Sequence, residues 1–304
     1  MDYLNIQTYE ELLVREGFHP DLDFYPKGER RFGDVLGPYR FVKKILCGIS
    51  SCHTPHLHGY LITTSDGFET AIGGDCGARH FGVRFTKERR RVESAMRRDQ
   101  RIKAIQNLIL TLPDMITTIR QLENDYRTLQ DLKMRLMGAT TPNFVKQLKE
   151  RAERDGATIT RSEPMTKDEA AAYFATSNKQ NRTKQDWPQK EVFVAKLDGL
   201  SFFKVQFKDL LVTNLLEPLN RLSQTRAEEI EEMGPKELAR TAKWVGNVPR
   251  EIANAQSAID AGKRFFAADN ISKLVHLGAD NSALAPMILD LRGQSDSSIR
   301  PVVA

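Results

Sequence analysis

In the N-terminal part of the chain, apolar and polar residues alternate in short runs, and further on they recur every three or four positions. Tyr39 to Leu46 (YRFVKKIL) has the period of a strand. Tyr60–Thr64 and Phe68–Ile72 flank Ser65-Asp66-Gly67, and Asp-Gly between two alternating runs predicts a hairpin. Before them, Thr8-Tyr9-Glu10-Glu11 reads as a capping box opening a short helix that Gly17 stops. Residues 18–37, with scattered Pro, Gly and charges, read as loop.

From Gly77 to Met137 the pattern is helical. Ile102, Ile105, Ile109, Leu112, Ile116, Ile119, Leu122, Tyr126, Leu129 and Leu136 form one apolar seam, with Pro113 expected to kink or split it. Thr141-Pro142 starts another helix, ended by Gly156. Residues 157–163 read as a strand, and Thr166-Lys167-Asp168-Glu169 caps a helix through Phe174. Ser177–Lys190 has no apolar period and reads as a linker. Glu191–Leu197 and Leu200–Phe207 around Asp198-Gly199 predict a second hairpin. Asp209 to Gly278 is helical in pattern, cut at Gly234-Pro235 and at Asn247-Val248-Pro249, and the tail from Gly293 is expected to fray.

The fold class that follows is α+β and mostly helical. The expected organisation is an N-terminal module over 1–100, a helical hairpin or coiled coil over 101–156, a mixed but mainly helical domain over 157–292, and a tail over 293–304. A chain of 304 residues with 40% hydrophobic and 28% charged positions buries ample core, so stability does not demand disulfides. No run of eighteen apolar residues exists, which argues against a membrane span. The opening MDYLNIQTYEELL lacks the basic start and apolar core of a secretory signal, so the expectation is cytoplasmic.

Three cysteines, all within thirty positions, make a poor disulfide framework and a reasonable metal site. Cys47-Gly-Ile-Ser-Ser-Cys52 is a C-x4-C pair and Cys76-Gly-Ala-Arg-His80 a C-x3-H pair. Thiolates are soft donors, and three of them with an imidazole form a closed tetrahedron around structural Zn2+. Gly48 and Gly77 are expected to free the backbone to turn toward the metal. Two ligands in a turn, then a hairpin over Tyr60–Ile72, then two ligands opening a helix resemble a treble-clef zinc finger, over residues 47–85. The resemblance implies a structural metal and transfers no activity. The first pair is spaced wider than usual, which leaves His53, His56 or His58 open as substitutes for Cys52. An HNH nuclease site on the same frame would need an Asn, and none occurs between Asn5 and Asn107.

The net charge of +5 is unevenly spread. Arg84–Lys103 holds nine Lys or Arg against three Asp or Glu, a local net of +6. Arg84, Lys87, Arg91, Arg98 and Arg101 fall on one helical face, opposite Phe81, Phe85, Val92 and Met96. Such a stripe suits phosphates of DNA or RNA without reading their sequence. The leading expectation is therefore a non-catalytic, zinc-stabilised nucleic-acid-binding protein. The alternative is an adaptor that joins a protein partner, or a second copy, through the seam over 102–136. An enzyme ranks third, since no Gly-rich phosphate loop, nucleophile elbow or acidic metal cluster is present.

Overall fold

The computed structural model describes residues 3–24, 30–176 and 187–297. It is α+β and mostly helical, as the periodicity implies. The chain forms two compact units, residues 1–107 with 226–245, and residues 108–225 with 246–304.

The first unit is built on an antiparallel sheet in the order β1 (Phe32–Ile45), β2 (His56–Thr64), β3 (Glu69–Gly73). The β2–β3 hairpin turns at Gly67, whose φ of 86° suits glycine. Strand β1 starts at Phe32, inside the stretch read as loop. Gly33, Gly37 and Pro38 disguise it, yet Gly37 is needed because a Cβ there would strike the Leu4 carbonyl of the N-terminal segment. Successive side chains of the sheet point to opposite faces. Ile62 and Ile72 pack with Phe32, Val35, Phe85 and Val92, whereas Leu61 and Ala71 pack with Ile6, Leu12, Tyr39 and Phe41. The first face is covered by the start of α2 (Gly74–Ala139), the second by the N-terminal segment and α1 (Glu10–Leu13). In α1, the Glu11 N–H donates to the Thr8 hydroxyl at 3.4 Å, but the helix ends well before Gly17.

Of the two outcomes expected at Pro113, the split does not occur: the helix runs through it, and its non-helical residue is Gly82 (φ 58°, ψ −133°), where the helix kinks. Proline removes one N–H, and the hydroxyls of Thr111 and Thr117 donate to the Leu108 and Pro113 carbonyls nearby.

In the second unit, α3 (Pro142–Glu153) is capped by Thr141, whose hydroxyl accepts from the Phe144 N–H at 3.1 Å. Strand β4 (Thr158–Pro164) pairs antiparallel with β5 (Gln189–Lys196), and α4 (Lys167–Thr176) lies between them in sequence with the Thr166–Glu169 capping box formed. The linker expected over 177–190 falls mainly outside the described residues. The hairpin expected around Asp198-Gly199 does not form. Residues 200–204 are a 3-10 turn, and Phe202, Phe203 and Phe207 are all buried, a pattern no half-exposed strand can satisfy. Gly199 (φ 63°) instead fits against α7 (Pro235–Phe265), where a Cβ would lie 2.6 Å from the Phe265 nitrogen. Buried Asn270 fixes this turn: its Oδ1 accepts from the Asp198 N–H, and its Nδ2 donates to the Asp198 and Phe265 carbonyls.

A π-helical stretch, Lys208–Leu216, leads into α5 (Glu217–Ser223) and α6 (Ala227–Glu232). Pro235 opens α7 as expected, but Pro249 sits inside that helix and does not cut it. Helices α8 (Ala268–Ser272) and α9 (Asn281–Ser297) follow, so the helix continues past Gly293, where fraying was expected. Much of the α2 seam is core of this unit. Tyr126 stacks on Phe207 at 4.1 Å, and the Leu129 side chain fills the space over Gly262.

Candidate metal centre

Three thiols converge in the first unit. Cys47 lies two residues beyond the end of β1, Cys52 five residues on in a tight turn, and Cys76 in the first turn of α2. Their sulfurs all lie within 4.8 Å of one another. Cys52 Sγ and Cys76 Sγ are 3.2 Å apart. The turn closes through the Cys52 N–H, which donates to the Ile49 carbonyl at 2.8 Å, and Ile49 is fully buried beneath it.

Both glycines are required, for a reason other than backbone freedom. Neither Gly48 nor Gly77 has a positive φ. At Gly48 a Cβ would collide with the Thr70 hydroxyl, and at Gly77 it would lie 2.5 and 2.7 Å from carbons of the Phe85 ring. The cysteines are therefore brought together by close packing of hairpin, turn and helix.

The thiols differ electrostatically. Burial pushes the Cys47 thiol up to about 12, only partly opposed by backbone N–H donors. Cys76 is raised by burial and by its contact with Cys52. Cys52 moves the other way, to about 7; partial burial is outweighed by the hydroxyl and backbone of Thr54. The Thr54 hydroxyl lies 3.2 Å from Cys52 Sγ. Three thiolates this close repel one another strongly unless a cation lies among them, and a soft divalent ion is the natural occupant of such a donor set. The arrangement supports a metal site with three sulfur ligands.

The histidines distribute as follows. His80, one turn beyond Cys76 on α2, is exposed and outside the group of converging donors. His53 is exposed and 3.2 Å from Asp21, and its φ of 47° marks the end of the turn. His58 is exposed on β2, opposite Arg40. His56 is engaged at both nitrogens: Nδ1 lies 3.1 Å from the Thr54 carbonyl and Nε2 2.6 Å from the Tyr39 hydroxyl. A carbonyl only accepts, so Nδ1 carries the proton and Nε2 accepts from Tyr39, which burial keeps protonated. That leaves His56 no lone pair for a metal. None of these three replaces Cys52 in the cluster.

The basic stripe is less uniform than its spacing implies. Lys87 is exposed, and Arg84 is exposed with its guanidinium 5.8 Å from the Phe32 ring centre. Arg91 is exposed beside Glu88 at 2.7 Å, and Arg101 is half-buried. Arg98 turns inward, donating to the Met233 carbonyl at 3.1 Å and to the Glu231 carbonyl at the end of α6. Arg89 and Arg97 share Glu93, which also accepts from the Tyr60 hydroxyl at 2.5 Å. Arg90, absent from the spacing-based stripe, is exposed on the same helix. Its exposure has no signal in a run of three arginines.

Among the described residues no helix is long and apolar enough to cross a membrane. Comparison with protein-family models, with curated proteins and with solved structures finds no match to this chain.

Proposed function

We propose that the first unit is a zinc-stabilised, non-catalytic module that binds nucleic acid through the outward cations of α2. The observation that carries the metal half is the convergence of Cys47, Cys52 and Cys76 from two separate segments. Zn2+ would be held by these three thiolates, with His80 as the fourth ligand. Its place one helical turn from Cys76 and its exposed, unburied ring favour it over His56, whose lone pair is in use. The metal's contribution is structural: it joins the turn after β1 to the start of α2 and neutralises the thiolates.

The binding half rests on Arg84, Lys87, Arg90 and Arg91, exposed within two turns of one helix, with Arg101 further along. These contact phosphates without selecting sequence, and Arg98 contributes packing instead of binding. The test uses the full chain and mixed-sequence DNA and RNA oligonucleotides over a salt series. Binding should fall with salt, with a log–log slope reduced by roughly one for each outward cation removed. Absence of affinity for both at low salt would discard the reading. The adaptor alternative is less favoured, because the seam's Tyr126 and Leu129 pack against the chain's own Phe207 and Gly262.

A further inference from the structure

We propose that Cys52 and Cys76 close a reversible disulfide when the protein meets hydrogen peroxide, which takes two of the three converging sulfurs out of the metal set. The inference rests on the metal reading above and adds the condition under which the metal is released.

The three sulfurs differ in access. Cys47 is fully buried and Cys76 only 5% exposed, whereas Cys52 is partly open to solvent. Ser51, His53, Thr54 and Pro55 beside it are all exposed, so a small oxidant reaches the Cys52 sulfur first. Its neighbour Cys76 Sγ is 3.2 Å away. Two sulfurs bound to one tetrahedral zinc at ~2.3 Å stand about 3.8 Å apart, and two joined in a disulfide about 2.0 Å. The pair is closer than ligation demands, and about 1 Å of approach completes the bond.

That approach falls to Cys52. Cys76 is fixed in the first turn of α2, where the Phe85 ring fills the space over the adjoining Gly77. Cys47 is tied down by its N–H, which donates to the Thr54 carbonyl, and by the Gly48 N–H, which donates to the Ala71 carbonyl. Cys52 instead lies in an exposed turn that closes only on Ile49. An accessible thiol beside a shielded second one is the arrangement of a redox sensor and its resolving partner.

The Cys52 thiolate attacks one oxygen of the peroxide, the O–O bond breaks, and hydroxide leaves a sulfenic acid behind. The Cys76 thiolate then attacks the Cys52 sulfur; the S–S bond forms, the S–O bond breaks and a second hydroxide departs. The two thiolates lose two electrons and the peroxide gains them. Cys47 and His80 remain as donors, and two ligands do not make a closed tetrahedral site. The disulfide joins the same two segments that the metal joins, the turn after β1 and the start of α2, so these stay together when the metal leaves. A dithiol reductant reverses the bond by exchange.

The test treats the zinc-loaded full chain with hydrogen peroxide and follows free thiols, released zinc and the disulfide map by mass spectrometry without reduction. Free thiols should fall from three to one per chain, zinc should be released in step, and the map should show Cys52 linked to Cys76. Dithiothreitol with added zinc should restore both thiols and metal. Dimedone present during a brief exposure should label Cys52 at least roughly tenfold more than Cys47 or Cys76, following accessibility. Cys47→Ala should form the same link; the dimedone labelling of wild-type protein decides the point if that variant does not fold. A link through Cys47, a bond between two chains, oxidation to sulfinic acid alone, or thiols that survive the peroxide would each overturn the inference. Protein that holds no zinc yet forms the Cys52–Cys76 bond would discard the metal reading and keep the disulfide, whereas zinc-loaded protein that forms no such bond would do the reverse.

Discussion

Gly77→Ala separates two physical effects of opposite sign. In the first turn of a helix, alanine is preferred over glycine by up to about 1 kcal/mol. By propensity alone the change should stabilise the protein. The structure gives the other sign. The new methyl would lie 2.5 and 2.7 Å from carbons of Phe85, well inside van der Waals contact. That ring has no room to retreat, being fully buried with Phe32 at 5.9 Å and Tyr60 at 5.6 Å between ring centres. Overpacking of this kind costs about 1–3 kcal/mol and occasionally more, and the severity here argues for the upper end. Subtracting the propensity gain leaves a net loss of about 2 kcal/mol. Because Gly77 adjoins Cys76, part of the displacement should also reach the thiol cluster and lower metal affinity. The assay is a double-mutant cycle by denaturant unfolding, with metal content measured on each variant. Phe85→Leu alone should destabilise by about 1–2 kcal/mol through lost volume, yet it should make room for the methyl that Gly77→Ala introduces. The double variant should then be more stable than the sum of the single costs by about 1 kcal/mol or more. Strict additivity, or a stabilised Gly77→Ala variant, would refute the packing argument.

Purified protein should carry about one zinc per chain by elemental analysis; Cys76→Ser should lose it and His80→Asn weaken it, whereas His56→Asn should retain it. Loss of zinc in His56→Asn equal to that in Cys76→Ser would overturn the ligand assignment. In metal-free protein the Cys47 thiol is held neutral, with its folded value raised from 9.0 to about 12. The folded state thus binds the proton more tightly, so stability is full below pH 9 and declines between pH 9 and 12; melting curves across that window should show the loss, which Cys47→Ala should reduce. Asn270→Leu should destabilise the second unit by about 2 kcal/mol in chemical unfolding, because it strands the buried Phe265 carbonyl and removes the partner of the half-buried Asp198 backbone, while zinc content stays unchanged. Arg98→Met should cost about 1–2 kcal/mol of stability through the lost carbonyl contacts, whereas Lys87→Met should leave stability unchanged and lower the salt slope of nucleic-acid binding.

Local chemistry determined much of this protein in advance. The Asp66-Gly67 turn, the Thr141 and Thr166 caps and the three-to-four seam each act within a few residues, so their outcome is written in adjacent positions. Cysteine spacing likewise identified the three thiols that meet. Tertiary structure decided the rest wherever a residue's environment comes from far along the chain. Gly37 and Gly199 look like breakers, yet they are small because Leu4 and Ala261 press on them. Pro113 and Pro249 look like helix ends, but each lost hydrogen bond is a small cost against the packing of the long helices that contain them. Phe202, Phe203 and Phe207 are all buried because Phe266, Phe265 of α7 and Tyr126 of α2 pack on them in turn, which overrides the turn signal before them. Arg98 has the spacing of a solvent-facing cation, and only the arrival of residues 231–233, more than a hundred positions later, turns it inward. Helical spacing specifies a face, and the fold alone determines what that face meets.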